Sequence, residues 1–118
     1  SELHRQHRPP GTDLRDPRFC GMFLTPTLRN VATRGAFFHN GVYHTLAQVL
    51  DFYDFRDTRP ARIYAHGKFD DLPARYRANV DTLDGPFDRR AGDAPPLSPQ
   101  QERDIIAFLR TLTDGYRP

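Results

Sequence analysis

Apolar positions along the chain mark two helices separated by a long polar stretch. Over residues 45–53, Leu46, Val49, Leu50 and Tyr53 recur at i, i+3, i+4 and i+7, a helical stripe. Thr45 precedes it with Gln48 three residues on, the spacing of a capping box. This puts Tyr53 on the inward stripe and turns Asp51 and Asp54 away from it. Over residues 98–113, Ser98, Pro99 and Gln101 form a second helix start. Ile105, Ile106, Phe108, Leu109 and Leu112 supply a broad apolar face, and Gly115 follows where a C-terminal cap belongs.

The rest is irregular. Residues 1–18 are polar, carry Pro9, Pro10, Gly11 and Pro17, and read as an extended arm or linker. Residues 19–44 hold the densest apolar run, from Phe19, Met22 and Phe23 to Phe37, Phe38, Val42 and Tyr43. They follow neither helical nor strand periodicity. Such a run fits irregular backbone wrapped around something bulky, or a loop buried under a helix. Residues 54–97 are mostly polar and Pro-rich. Within them 72–80 could make two helical turns starting near Pro73, and 84–97 reads as a surface loop. No segment shows sustained period-2 alternation, so the class is mainly α with long irregular loops.

Composition sharpens this picture. Leu, Ile, Val and Phe make about 23% of the 118 residues, just above the roughly 20% below which disorder prevails. Mean hydropathy is −0.72. A core this thin needs a cofactor, a partner domain or an oligomer to offset the entropy cost of ordering the chain. No apolar stretch approaches the ~20 residues of a membrane span. Net charge is +2, from 17 basic and 15 acidic residues that interleave rather than cluster. The charge pattern therefore points away from nucleic acid.

Few residues suggest chemistry by themselves. Cys20 is the single Cys, so there is no disulfide within the chain, no cysteine zinc site and no CxxCH for covalent haem attachment. It reads as a small buried residue or as the partner of a Cys elsewhere. His4 and His7 lie in the polar arm, and His39 and His44 flank the Asn40-Gly41 turn. Neither pair has the company of a metal site. Met22 reads as core filling. Tyr53 is either a core tyrosine bonded to a backbone carbonyl or, since tyrosine can hold haem iron, an axial ligand. The residues alone leave both readings open.

A set of motifs in register adds to this. Phe23-Leu-Thr-Pro-Thr-Leu-Arg-Asn-Val-Ala32 is followed by Ala36-Phe-Phe-His-Asn-Gly41 and Thr45-Leu46. Phe69-Asp-Asp-Leu-Pro73, Asn79-Val80 and the closing Ile105–Gly115 segment come after. Together, over about residues 13–116, they resemble the C-terminal part of the bacterial di-haem cytochrome c peroxidase and MauG family. The resemblance implies a partial cytochrome c-like domain, with residues 19–118 as the C-terminal segment of the electron-transfer haem domain. It implies haem c as cofactor, with the attachment motif outside this chain, and hydrogen peroxide as the acceptor for the complete enzyme.

Site residues follow residue by residue. The position of the second axial ligand, a Met in the peroxidases and a Tyr in the MauG branch, falls on Tyr53. His39, Arg29 and Asn30 match residues near that haem. A calcium held partly by backbone carbonyls would use those of Arg34 and Ala36. The implied partners are an N-terminal haem domain and a redox protein or protein substrate. A homodimer is left open, and the implied compartment is the periplasm. On this view the chain is expected to be a C-terminal fragment that is inactive and loosely folded alone. The competing functions are a non-catalytic c-type electron-transfer module and a haem-less interaction domain.

Overall fold

The computed structural model describes residues 25–117. The arm at 1–18 and the residues Cys20 and Met22 lie outside the described residues. Two α-helices carry the architecture: α1, Leu46–Thr58, and α2, Pro99–Thr111. Short 3₁₀ helices at Val31–Thr33, Pro60–Arg62 and Ala74–Asn79 punctuate the connections. The only β pairing among the described residues is a single antiparallel bridge, Phe37 to Tyr43. The fold is mainly α, as the periodicity predicts, and no described helix is long and apolar enough to cross a membrane.

Both predicted capping boxes form. The Thr45 hydroxyl accepts from Gln48 N, and the Gln48 side chain accepts from Thr45 N. Ser98 and Gln101 repeat the arrangement at α2, with Pro99 in the first turn. Local chemistry fixes these starts, because each box satisfies amide donors that the helix cannot satisfy itself.

The ends differ from expectation. The spacing ends α1 at Tyr53, whereas the helix continues to Thr58 and that last stretch is the most buried part of the molecule. Asp54, expected to point away, is only 2% exposed. It faces inward because it has partners there: its Oδ1 accepts from Leu97 N at 3.1 Å, and Glu102 of α2 hydrogen-bonds to it. Arg59, which leaves the helical conformation ahead of Pro60, stops the helix. In α2 the apolar face is narrower than predicted. Leu109 is buried and Ile105 and Ile106 half-buried, but Phe108 is 59% exposed. Helix α2 ends at Thr111, so Gly115 takes its left-handed φ of 75° in the turn beyond rather than in the cap. The possible helix near Pro73 forms as the 3₁₀ segment Ala74–Asn79.

The described core holds four apolar side chains, Phe37, Phe55, Tyr64 and Leu109, with the Arg62 guanidinium 3.8 Å over the Phe55 ring. Beside them lies a buried charge network. Arg56 Nε donates to Asp57 Oδ2 at 2.7 Å, Arg56 Nη2 donates to the Asp81 carbonyl, and the Lys68 ammonium pairs with Asp57 Oδ1. Thr58 donates its hydroxyl to the Asp54 carbonyl at 2.6 Å and offers its own carbonyl to Gly92 N at 2.9 Å. The long polar segments after α1 are therefore pinned to the end of that helix.

The far edge is closed by a latch. Asn30 has a left-handed φ of 58°. Its amide donates to Asp114 Oδ2 at 2.9 Å, its side-chain oxygen accepts from Asp114 N at 2.8 Å, and its backbone N donates to the Leu112 carbonyl. Arg29 pairs with Asp114 Oδ1 at 2.8 Å.

Two predictions follow from this packing. Arg56→Met removes one partner of a buried pair and should cost on the order of 3–5 kcal/mol in denaturant unfolding. Glu102, raised above its ordinary 4.5 by burial and then by Asp54 and Asp51, is more protonated folded than unfolded. Its contribution is therefore full below about pH 4.5 and is lost as pH rises through the raised value. Glu102→Gln should flatten that decline in thermal melts taken across the acid range.

Candidate functional site

The irregular segment before α1 folds back at Phe37 to Tyr43. Phe37 N donates to the Tyr43 carbonyl at 2.8 Å, and Gly41 N to the Phe38 carbonyl at 3.3 Å. The chain reverses through two left-handed residues, Phe38 at φ 60° and Gly41 at φ 66°. That conformation is costly for Phe38, which has a Cβ. It sends the two neighbouring rings apart: Phe37 goes into the core, while Phe38 stays 39% exposed. His44 secures the base of the turn, its Nδ1 2.9 Å from the Gly35 carbonyl and its backbone N donating to Gln48 Oε1. A carbonyl accepts only, so His44 carries its proton on Nδ1 in this contact.

Phe38 lies against the middle of α1, where an aromatic face assembles. Its ring meets Phe52 at 5.1 Å, Tyr43 at 5.3 Å and Tyr53 at 6.1 Å, all edge to face. Tyr53 is also edge-on to Phe52 at 5.8 Å, and it stacks on Phe87 at 5.4 Å with 22° between the planes. The face is only half covered, and Val42 beside it is 57% exposed. The Tyr53 hydroxyl makes no hydrogen bond among the described residues, unlike the carbonyl-bonded core tyrosine that the sequence left open. A half-open apolar face with one phenol oxygen left over is compatible with an aromatic cofactor, and a haem bound here would find in that oxygen a donor of the right chemistry.

Burial first, and then the Asp71 carboxylate, push both Tyr43 and Tyr64 above the ordinary 10.0, so both stay protonated.

The other residues singled out by sequence are dispersed. His39 is exposed at the tip of the turn next to Phe38. Arg29 and Asn30 make their contacts at Asp114 beyond the end of α2, where they hold the fold together. Arg34 and Ala36 lie on the exposed stretch before the turn, and the Gly35 carbonyl between them is taken by His44. Among the described residues no group of three or more His, Cys, Asp or Glu is placed to hold a metal ion. Phe87 and Arg56, both beside Tyr53, were missed by the sequence reading. Phe87 sits in a Pro/Gly/Asp loop with no periodicity, and a charged residue gives no sequence signal for burial.

Comparison with known proteins follows the same lines. No protein-family model matches the chain. It is 42% identical over 40 residues to cytochrome-c peroxidase IdrP1 of Pseudomonas sp. strain SCT, covering 34% of this chain and 11% of that protein. It is 42% identical over 48 residues to the methylamine utilization protein MauG of Paracoccus denitrificans, covering 40% and 12%. The crystal structure of the diheme peroxidase BthA from Burkholderia thailandensis superposes with a TM-score of 0.72 at 48% identity, over 77% of this chain and 22% of that one. A tyrosine-to-methionine variant of BthA gives 0.73 at 47% identity. The chain thus spans a small part of each relative's length.

The role of Asp71 can be checked directly. Asp71→Asn should bring the Tyr43 and Tyr64 ionisations down toward 10.0, read as an earlier phenolate rise in an ultraviolet pH titration.

Proposed function

We propose, for a chain that belongs to the di-haem cytochrome c peroxidase and MauG family, that it forms the distal face of the electron-transfer haem in a periplasmic di-haem enzyme. The complete enzyme would move electrons between that haem and a second, peroxide-reactive one. Hydrogen peroxide would be the acceptor, and a redox protein or a protein substrate the donor. The observation that carries this reading is Tyr53, a half-buried phenol against three aromatic rings whose oxygen has no hydrogen-bond partner among the described residues.

In this reading the Tyr53 phenol oxygen would hold the haem iron, and the attachment motif would come from outside the chain. A bound c-type haem supplies the one-electron chemistry. The chain's own residues set its terms. A phenolate oxygen is a hard anionic donor that favours the more oxidised iron, whereas a Met thioether raises the potential. Phe38, Phe52 and Phe87 pack against the ring that carries the donor and hold it on this face. In the same proposal His39, next to Phe38, belongs to the surroundings of the haem, whereas Arg29 and Asn30 serve as the latch to Asp114. The carbonyls of Arg34 and Ala36 are its calcium ligands; carbonyl ligation depends little on side chain.

The test uses the complete haem-loaded protein. Tyr53→Phe should change the spin state and optical spectrum of one haem and leave the other as it was. Tyr53→Met should raise the reduction potential of that same haem. Parent-like spectra in Tyr53→Phe would remove the ligand assignment and favour a core role for this ring.

A further inference from the structure

The ring of Tyr53 touches three others, and one of them is stacked against its face. The last torsion of a tyrosine is broad and roughly two-fold, so packing rather than intrinsic preference sets the ring plane. Phe38 and Phe52 approach Tyr53 nearly perpendicular, at 79° and 80°. Phe87 lies nearly parallel to it at 22°, the only stacked pair among the described ring contacts.

Phe87 is itself firmly held, although its segment has no regular structure. Asp81 folds the loop by accepting from Leu83 N at 3.0 Å and Asp84 N at 3.1 Å with one carboxylate oxygen. Phe87 N donates back to the Asp84 carbonyl at 2.7 Å. The Arg56 guanidinium carbon sits 3.7 Å from the Phe87 ring centroid, and its Nη2 donates to the Asp81 carbonyl. Arg56 in turn is buried and fixed by Asp57. One buried guanidinium therefore holds both ends of the loop that presents Phe87, three residues along α1 from Tyr53.

We propose that Phe87 is a positioning residue: loop 81–87, anchored on Arg56, holds its ring against Tyr53 and so sets the orientation of the phenol that binds iron. This rests on Tyr53 being the ligand. The plane of a phenolate governs how its oxygen lone pairs overlap with the metal. Loosening it alters the electronic structure of the centre without removing the donor.

The experiment compares Phe87→Leu, Phe87→Trp and Tyr53→Phe in the complete haem-loaded protein at equal haem content, by electron paramagnetic resonance and optical spectroscopy. Phe87→Leu removes the flat face and keeps an apolar side chain. It should broaden or split the signal of the Tyr53-side haem and shift its potential, with the other haem unchanged. Phe87→Trp keeps a flat face and should restore the parent signal. If Phe87→Leu does not accumulate as holoprotein, Phe87→Met serves the same comparison. A parent-like signal in the aliphatic variants, with Tyr53→Phe altered, overturns the positioning role and leaves the ligand reading intact. A parent-like signal in Tyr53→Phe overturns both.

Discussion

A single guanidinium organises this molecule. Arg56 is buried near the end of α1, and a charge there is tolerated only if it is paired and its donors are used. Asp57 takes one donor, the Asp81 carbonyl another, and the faces of Phe69 and Phe87 lie 5.5 and 3.7 Å away. Asp57 is completed from its other side by Lys68, the only lysine of the sequence. Two segments without long helices or strands, around Lys68–Phe69 and over 81–87, are thereby fastened to one turn of α1. Their positions are fixed by the need to satisfy that charge, since leaving it unpaired would be strongly unfavourable.

The apolar surface is spent differently. Four described side chains make the core, while a comparable number of aromatic rings line an open face beside Tyr53. A domain of this size that stabilised itself by burial alone would turn those rings inward. Keeping Phe38 outward also takes a left-handed backbone at a residue with a Cβ, a strained arrangement of the sort found where a surface meets a ligand. The charge network permits this division of labour, since it holds the loops without drawing on those rings.

Legibility in the sequence divides along the same line. The capping boxes at Thr45 and Ser98 could be read because each partner lies three residues away. The mainly α class followed from the absence of alternation, whereas Tyr53, expected on the inward stripe with Leu46, Val49 and Leu50, is like them only half-buried and outside the core. Asp54 was misread because its partners, Leu97 and Glu102, lie more than forty residues downstream and leave no local mark. Phe108 was misread for the opposite reason, since its helical spacing matches the apolar face but nothing covers it. Phe87 carried no signal, because its place depends on Arg56 and Asp81 meeting across 25 residues. The family motifs could be quoted from the sequence, yet the structure ties Arg29 and Asn30 to Asp114 rather than to the aromatic face.

That tie sets an order of events during folding. The Asn30 amide and Asp114 lie 84 residues apart, so their meeting must wait for a large loop to close, whereas the capped helices need only neighbours. Helix formation takes about a microsecond or less, and contacts of long sequence separation come later. The entropy of closure grows only with the logarithm of loop length. Much of that entropy has already been removed once the loops are fastened to Arg56. The latch therefore forms late and at little further cost.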